Sequence, residues 1–213
     1  MIKVDQLSKA YGHQQVLNNI SVQFDASHIY GLVGPNGCGK TTLMRCITGF
    51  TLPDRGEVTV DDKKIGRDID FAPSTGLILE VPEFLSQYTA EKNLRILAAI
   101  SHLADQARIH SCIAKVGLDP KDKKPVGKYS LGMRQRLGIA QAIMEDPNNL
   151  ILDEPFNGLD KQGVSDMHTL LQELKMQNKT IILASHSAND ISLACDIVYE
   201  FENGQLVQIP KET

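Results

Sequence analysis

The stretch Gly34-Pro35-Asn36-Gly37-Cys38-Gly39-Lys40-Thr41 decides the fold, because it fits the pattern G-x-x-x-x-G-K-[ST]. The apolar run His28–Val33 precedes it, and a segment with helical periodicity follows it over 41–48. This order predicts a buried strand, a glycine-rich loop and the start of a helix. The glycines let backbone N–H groups turn towards phosphate oxygens, where a Cβ would block the approach. The pattern therefore predicts a site for a nucleoside triphosphate.

The residues of this loop have distinct expected roles. Lys40 is placed to reach the β- and γ-phosphates, and the Thr41 hydroxyl to hold Mg²⁺. The positive end of the helix dipole adds to the attraction for phosphate. The residues expected to contact the nucleotide here are Gly34, Pro35, Asn36, Gly37, Cys38, Gly39, Lys40, Thr41 and Thr42.

A second buried strand ends in two carboxylates, in the sequence Leu150-Ile151-Leu152-Asp153-Glu154. A phosphate loop needs a carboxylate at the end of a neighbouring strand, and Asp153 is expected to hold Mg²⁺ there, through water. Glu154 follows directly and can accept a proton from the attacking water or orient it. The alternative is a plain acidic turn before Pro155.

Length and composition fit one globular domain. The chain has 213 residues, of which 42% are hydrophobic and 23% charged. A net charge of −4 gives no general attraction for nucleic acid or anionic lipid. No apolar run is long enough to span a bilayer, and the first residues lack the apolar run of a secretory signal. Four cysteines without CxxC spacing favour reduced thiols in a cytosolic protein over a disulfide framework or a zinc site.

The remaining patterns predict an α/β fold. Apolar and polar residues alternate over 1–8 and 15–24, with a turn at 11–13, and a strand pair follows over 56–60 and 63–65. Helical periodicity dominates 89–116, and helices then alternate with continuous apolar strands. We expect a mainly parallel core sheet, an antiparallel β subdomain and a helical subdomain over about 85–147, within a single domain spanning 1–213.

Several further motifs resemble those of one family. Tyr129-Ser130-Leu131-Gly132-Met133-Arg134-Gln135 resembles the signature sequence of ABC transporter ATPase subunits, usually written LSGGQ. Gly158-Leu159-Asp160 resembles the D-loop of that family, and His186 its switch histidine. Tyr11 falls where the family places an aromatic that stacks on adenine. The resemblance extends from residue 2 to about residue 207, and its motifs occur in the order that the family has.

The resemblance implies a P-loop NTPase fold and Mg²⁺-dependent hydrolysis of ATP, with Glu154, His186 and Lys40 as catalytic residues. Ser130 precedes a helix, so its hydroxyl and the following N–H groups form a second anion site. A head-to-tail homodimer would then enclose ATP between the Lys40 side of one chain and Ser130, Gly132 and Asp160 of the other. The family also implies a separate integral membrane permease, bound at a groove near residues 80–88 and at the helical subdomain, where Phe84, Leu85 and Tyr88 offer apolar surface. It implies a place on the cytoplasmic face of the cell membrane without insertion into lipid.

Two departures from the family pattern point to one branch. Glu80 aligns with a glutamine that contacts Mg²⁺, so a carboxylate is expected beside the metal; the alternative is that the alignment slips and Gln87 is the sensing residue. In the signature, Leu131 replaces the first glycine and Met133 the glutamine. Both features resemble the ATPases of bacterial bacitracin-resistance and lantibiotic-immunity exporters, which implies export of a peptide antibiotic.

Two other classes of function compete with this interpretation. A non-transport ABC ATPase acting on the ribosome or DNA would carry two ATPase domains or a long coiled-coil insertion, and the sequence has no sustained heptad run. An ordinary P-loop kinase or GTPase would need neither the signature at Ser130 nor a dimer. The order of the motifs disfavours the kinase or GTPase, and a length that fits one domain disfavours the ATPase acting on the ribosome or DNA.

Overall fold

Residues 1–79 and 81–210, which the computed structural model describes, form two β-sheets, six α-helices and one short 3-10 helix. The strands are β1 (Ile2–Tyr11), β2 (Gln14–Phe24), β3 (His28–Val33), β4 (Arg55–Val60), β5 (Lys63–Lys64), β6 (Thr75–Ile78), β7 (Asn149–Asp153), β8 (Thr180–Ser185), β9 (Ile197–Glu202) and β10 (Gln205–Ile209). The helices are α1 (Lys40–Thr48), α2 (Ala90–Ser101), α3 (Gln106–Lys115), α4 (Leu131–Ile143), α5 (Lys161–Met176) and α6 (Ala188–Ala194), with the 3-10 helix at Val126–Lys128.

The larger sheet has the strand order β10-β9-β3-β8-β7-β6. Neighbouring strands from β9 to β6 run parallel, and only β10 pairs antiparallel, with β9. Strands β7 and β8 are buried along their whole length, as expected for a parallel sheet with both faces covered. Because β3 and β7 are parallel in one sheet, the loops that leave their carboxyl ends open at the same edge.

The smaller sheet is antiparallel, with the order β2-β1-β4-β5. Its apolar side chains alternate with exposed ones, so that Ile2, Val4 and Leu7 of β1 point into the core. Helix α1 packs between the two sheets, since Leu43, Met44 and Ile47 share one buried cluster with apolar residues of both. This packing fixes the start of α1 against the larger sheet.

Helices α2, α3 and α4 form the helical part of the chain and pack on the opposite face of the larger sheet. The side chain of Asn93 anchors the segment that leads into α2. Its Oδ1 accepts the N–H of Leu85 at 2.8 Å, and its Nδ2 donates to the carbonyl oxygens of Leu85 and Thr89 at 3.1 and 3.0 Å. Thr89 caps α2 by accepting the N–H of Lys92.

The predicted α/β class, with a mainly parallel sheet, an antiparallel sheet and a group of helices, is confirmed. The element boundaries differ in places: β1 runs on to Tyr11, so the turn is shorter than expected, and α4 ends at Ile143, before the proline at 147. Strands β6, β9 and β10 and helix α6 were not predicted. No helix among the described residues is long and apolar enough to cross a membrane.

Candidate functional site

The loop between β3 and α1 has a backbone that requires glycine. Gly37 and Gly39 adopt φ angles of 79° and 122°, in the left-handed region that other residues rarely occupy. A Cβ on Gly39 would also lie 2.9 Å from the Leu17 side chain and 3.1 Å from the Val16 carbonyl oxygen. Gly39, a fixed position of the sequence pattern, is therefore required both by its φ angle and by its close neighbours, whereas at Gly37 only the φ angle favours glycine.

The Lys40 side chain folds back over the same loop. Its Nζ donates to the carbonyl oxygens of Gly34 and Pro35 at 2.6 and 3.1 Å, and the residue is only 6% exposed. These carbonyls hold the ammonium group in the loop, where it can exchange them for the oxygens of a bound phosphate.

Thr41 and Asp153 bring oxygen ligands together beside the loop. The Thr41 hydroxyl donates to Asp153 Oδ2 at 2.5 Å, although 112 residues separate them in the chain. Asp153 ends β7 and is 8% exposed. A hydroxyl and a nearly buried carboxylate are hard oxygen donors of the kind that Mg²⁺ prefers next to phosphates. This pair fits the predicted metal site.

Glu154 directs its carboxylate towards the end of β8. Its Oε2 accepts the Ser185 hydroxyl at 3.1 Å. Its Oε1 accepts the backbone N–H of His186 at 2.9 Å and lies 2.9 Å from Nδ1 of the His186 ring. Since β7 and β8 are neighbours in the sheet, two of the three predicted catalytic side chains, Glu154 and His186, are in direct contact.

These residues surround a cleft of about 300 Å³ at the carboxyl edge of the larger sheet. It is lined by Asn36, Gly37, Gly39, Lys40, Thr41, Thr42, Val81, Gln135, Asp153, Glu154 and Asn157. The volume is at the lower end of the range for ligand pockets.

Four contacts at this cleft were not expected from the sequence. Val81 and Asn157 line it, and Ser185 holds Glu154. Gln135 is buried, and its Nε2 donates to the backbone carbonyl of Glu154 at 3.2 Å. Gln135 lies in the segment that resembles the signature sequence, and Ser185 directly precedes His186. Their closeness in sequence to these predicted site residues was the signal that could have identified them.

Other predicted residues lie outside the cleft of their own chain. Ser130 is exposed at the start of α4, and its Oγ accepts the N–H of Met133 at 3.2 Å. Gly132 follows in the first turn, and Asp160 caps α5 by accepting the N–H of Gly163 at 2.9 Å. A single chain therefore carries the start of α1 at the cleft, where the N-cap is Gly39, and two helix starts with polar side-chain caps, those of α4 and α5, away from the cleft.

Tyr11 also lies outside the cleft. It is the last residue of β1 and is 49% exposed, and Nζ of Lys9 lies 5.7 Å from the centroid of its ring. Glu80, the predicted carboxylate ligand, lies outside the described residues. Its neighbour Val81 lines the cleft, whereas the alternative Gln87 is exposed and does not.

A family model described as "ABC transporter" matches residues 17–157, more than half of the chain. An uncharacterized ABC transporter ATP-binding protein of Bacillus subtilis, YybJ, is 44% identical over 97% of this chain and 94% of its own length. The bacitracin transport ATP-binding protein BcrA of Enterococcus faecalis is 38% identical, over 98% of this chain and 68% of its own. The lantibiotic transport ATP-binding protein SrtF of Streptococcus pyogenes is 33% identical, over 97% and 89%.

The fold is likewise similar to that of a solved structure described as the ATP-binding subunit of an ABC transporter. The two superpose with a TM-score of 0.87 at 26% identity, over 98% of this chain and 89% of the other. The arrangement of sheets and helices described above is therefore shared over nearly the whole chain.

Proposed function

This chain belongs to the ATP-binding proteins of the ABC transporter family, and on that premise we propose that it binds and hydrolyses Mg-ATP to supply energy to a transporter. One observation carries the proposal. Lys40, the Thr41–Asp153 pair and Glu154 converge on one cleft, although they come from two motifs separated by 112 residues between Thr41 and Asp153. This combination supplies a phosphate ligand, a metal site and a base.

In this proposal the chain holds the triphosphate by its loop. Backbone N–H groups over 34–41 and the Lys40 ammonium group contact the phosphate oxygens, and Thr41 and Asp153 hold Mg²⁺. The bound metal neutralises charge on the β- and γ-phosphates. Tyr11 stacks on the adenine ring, and its half-exposed side chain leaves room for that contact.

Glu154 acts on the attacking water. Its carboxylate is already hydrogen-bonded to Ser185 and His186, so it is oriented before the nucleotide binds. It accepts a proton from the water or orients it for in-line attack on the γ-phosphorus, and the β–γ bond then breaks. His186 is within reach of the same group and can donate to a γ-phosphate oxygen.

Two copies of the chain complete the site. Ser130, Gly132 and Asp160 do not line the cleft of their own chain, so they are free to meet the nucleotide held by a second copy. A two-fold homodimer satisfies both chains at once, since each supplies a cleft and a capping surface. The whole chain, 1–213, is then a single ATPase domain with its helical subdomain over about 85–147.

Transport itself requires a separate integral membrane permease. We expect it to dock around residues 81–88, where Val81, Leu85 and Tyr88 expose apolar side chains. Phe84, which was expected to contribute to this surface, is instead partly buried against the core.

The names of the relatives BcrA and SrtF favour export of a peptide antibiotic, with this subunit at the cytoplasmic face of the cell membrane.

The test is release of inorganic phosphate from ATP by the purified chain, with and without Mg²⁺. We expect Glu154→Gln to lower turnover by about 100-fold or more, as loss of a general base does, while binding of fluorescent mant-ATP is retained. Glu173→Gln makes the same chemical change at an exposed position of α5 and should leave turnover unchanged. Hydrolysis at the wild-type rate by Glu154→Gln would contradict the proposed role.

A further inference from the structure

Arg136 of α4 joins three elements through one guanidinium group. Its Nη1 donates to the Val116 carbonyl oxygen, just after α3, at 2.8 Å. The same Nη1 lies 3.5 Å from Asp166 Oδ2, and Nη2 lies 3.8 Å from Asp160 Oδ1. Asp160 caps α5, and Asp166 lies in that helix. The Arg136 side chain is 19% exposed, but those of Asp160 and Asp166 are 79% and 44% exposed, so water screens the two ion pairs and the hydrogen bond to buried Val116 is the better shielded contact.

Two glycines leave the space that this guanidinium group occupies. A Cβ on Gly117 would lie 2.6 Å from Nη1 of Arg136, and a Cβ on Gly163 would lie 2.7 Å from Nη2. Both distances are shorter than van der Waals contact, so any other residue would displace the group. The two glycines and the three acceptors together form a slot that fits a planar, forked cation better than a lysine ammonium group.

The start of α4 and the loop before α5 are also in direct contact in front of this slot. A Cβ on Gly132 would lie 2.5 Å from the Gly158 carbonyl oxygen, and a Cβ on Gly158 would lie 2.7 Å from Cγ of Leu131. Ser130 and Asp160, the N-caps of the two helices, are thus brought near each other by tight backbone packing, and Arg136 lies one turn along α4 behind this contact.

We propose that Arg136 is a positioning residue that locks the starts of α4 and α5 and the end of α3 into one unit. In this unit Ser130 and Asp160 keep a fixed spacing when they meet the nucleotide held by a second copy of the chain. The proposal rests on the proposed function, because it concerns the ATP-bound dimer. It assigns to Arg136 no contact with the nucleotide itself, so its loss affects dimer formation and not binding of ATP to the single chain.

The test uses the full chain with Glu154→Gln, so that bound ATP is retained. Arg136→Gln and Arg136→Lys are added to it, and the dimer dissociation constant in Mg-ATP is measured by sedimentation. We expect Arg136→Gln to weaken the dimer about tenfold or more, as loss of hydrogen bonds from a charged group does. The affinity of the separate chain for mant-ATP should stay within about twofold, and Arg136→Lys should restore part of the dimer affinity.

Arg108→Gln provides a matched control. Arg108 also lies in the helical part of the chain and donates to the Met144 and Ile143 carbonyl oxygens at 3.2 and 3.3 Å, at the opposite end of α4. We expect this substitution to lower the melting temperature of the chain and to leave the dimer dissociation constant unchanged. A dimer dissociation constant that rises equally in both variants would assign Arg136 a general structural role and overturn the proposal.

The remaining outcomes separate this inference from the proposed function. If Glu154→Gln alone does not dimerise with ATP, the proposed function fails. If Glu154→Gln dimerises with ATP and the added Arg136→Gln leaves the dimer dissociation constant unchanged, only the role of Arg136 is overturned. Should Arg136→Gln not fold, Asp166→Asn removes the negative charge of one ion pair and keeps the arginine. It should weaken the dimer about threefold, in line with a partly exposed ion pair, and an unchanged constant would overturn the proposal.

Discussion

At the scale of single residues, Glu154 has a strained backbone conformation and a carboxylate held by several hydrogen bonds. Its φ is 49°, a left-handed conformation that is unfavourable for a residue with a Cβ. Such strain costs about 1–3 kcal/mol and occurs often at functional sites. Here the backbone N–H of Glu154 donates to the Ala184 carbonyl oxygen at 2.8 Å, and Ser185 and His186 hold the carboxylate. These contacts stabilise a backbone that turns the side chain out of the strand and towards the cleft.

The cysteines differ sharply in their surroundings, and this leads to a prediction. Burial raises the pKa of the Cys46 thiol to about 11, so about one in a thousand of these thiols is ionised at pH 8. Burial also raises the pKa of Cys112, and Cys195 is fully buried. Cys38 is partly exposed in the phosphate loop. We therefore expect a maleimide at pH 8 to react fast with one thiol per chain, that of Cys38. Mg-ATP should lower the rate of this reaction about tenfold or more.

Cys38→Ser is the control for this labelling experiment, since it should remove the fast phase and leave the slow ones. The number of labelled thiols can be counted by intact mass. Two or more fast thiols in the folded chain would show that the core is more open than described. A rate of Cys38 labelling that does not respond to Mg-ATP would contradict nucleotide binding at this loop.

The residues of the phosphate loop could be predicted from the sequence, because their spacing is fixed by the local backbone. The positions of Thr41 and Asp153 also indicated one site. Thr41 lies in the loop after one predicted buried strand and Asp153 ends another, and the carboxyl ends of parallel strands meet at one edge of a sheet. The contacts of Gln135 and Ser185 could not be predicted in this way. They depend on how α4 and β8 pack around β7, and no local pattern encodes that packing.

At the scale of elements, the hairpin of β9 and β10 was missed although the sequence contained a signal for it. Asn203 and Gly204 join the strands with φ angles of 50° and 77°, and an Asn-Gly pair favours a two-residue hairpin turn. Strand β6 carried no such signal. It has four residues and includes Gly76, whose Cβ would overlap the Ala142 carbonyl oxygen at 1.9 Å. Contact with α4 therefore explains this glycine, which by itself disfavours a strand.

A buried lysine ties the end of α4 to the start of β8. Lys179 Nζ donates to Asp146 Oδ1 at 2.8 Å and to the Pro147 carbonyl oxygen at 2.6 Å, and its side chain is 7% exposed. The hydrogen bond from Lys179, opposed in part by desolvation, lowers the pKa of Asp146 below its ordinary value. A carboxyl group with a lowered pKa stabilises the fold above its unfolded-state pKa, and this contribution is lost as the pH falls through the folded-state value.

We therefore expect Asp146→Asn to lower the free energy of unfolding by about 1 kcal/mol at pH 7, less than for a fully buried charged hydrogen bond because the Asp146 side chain is 65% exposed and water screens the pair. The difference from the wild type should shrink as the pH falls below about 4, where the carboxylate becomes protonated. Urea unfolding across this pH range provides the measurement.

Glu57→Gln is the matched control for Asp146→Asn. It breaks an ion pair of similar length, 2.7 Å to Lys64, in which both side chains are well exposed. Exposed ion pairs contribute little to stability, so Glu57→Gln should change the free energy of unfolding by less than about 0.5 kcal/mol at every pH. Equal effects of the two substitutions would show that burial of Lys179 adds nothing to the strength of its contact with Asp146.

At the scale of the whole molecule, the chain has a cleft on one side and an exposed pair of capped helix starts on another. Neither surface completes the proposed nucleotide site alone, because Ser130 and Asp160 do not line the cleft. The account therefore requires two chains around ATP. The net charge of −4 on each chain opposes association only weakly at physiological salt, where charges more than about 8 Å apart are screened.

The most direct test of this account is the mass of the Glu154→Gln protein in solution with excess Mg-ATP, measured by light scattering during size exclusion. Because this variant binds ATP without hydrolysing it, we expect a species of twice the 23.5 kDa of one chain, and the single chain when ATP is replaced by buffer. Persistence of the 23.5 kDa species at saturating ATP, with mant-ATP bound, would contradict the shared nucleotide site.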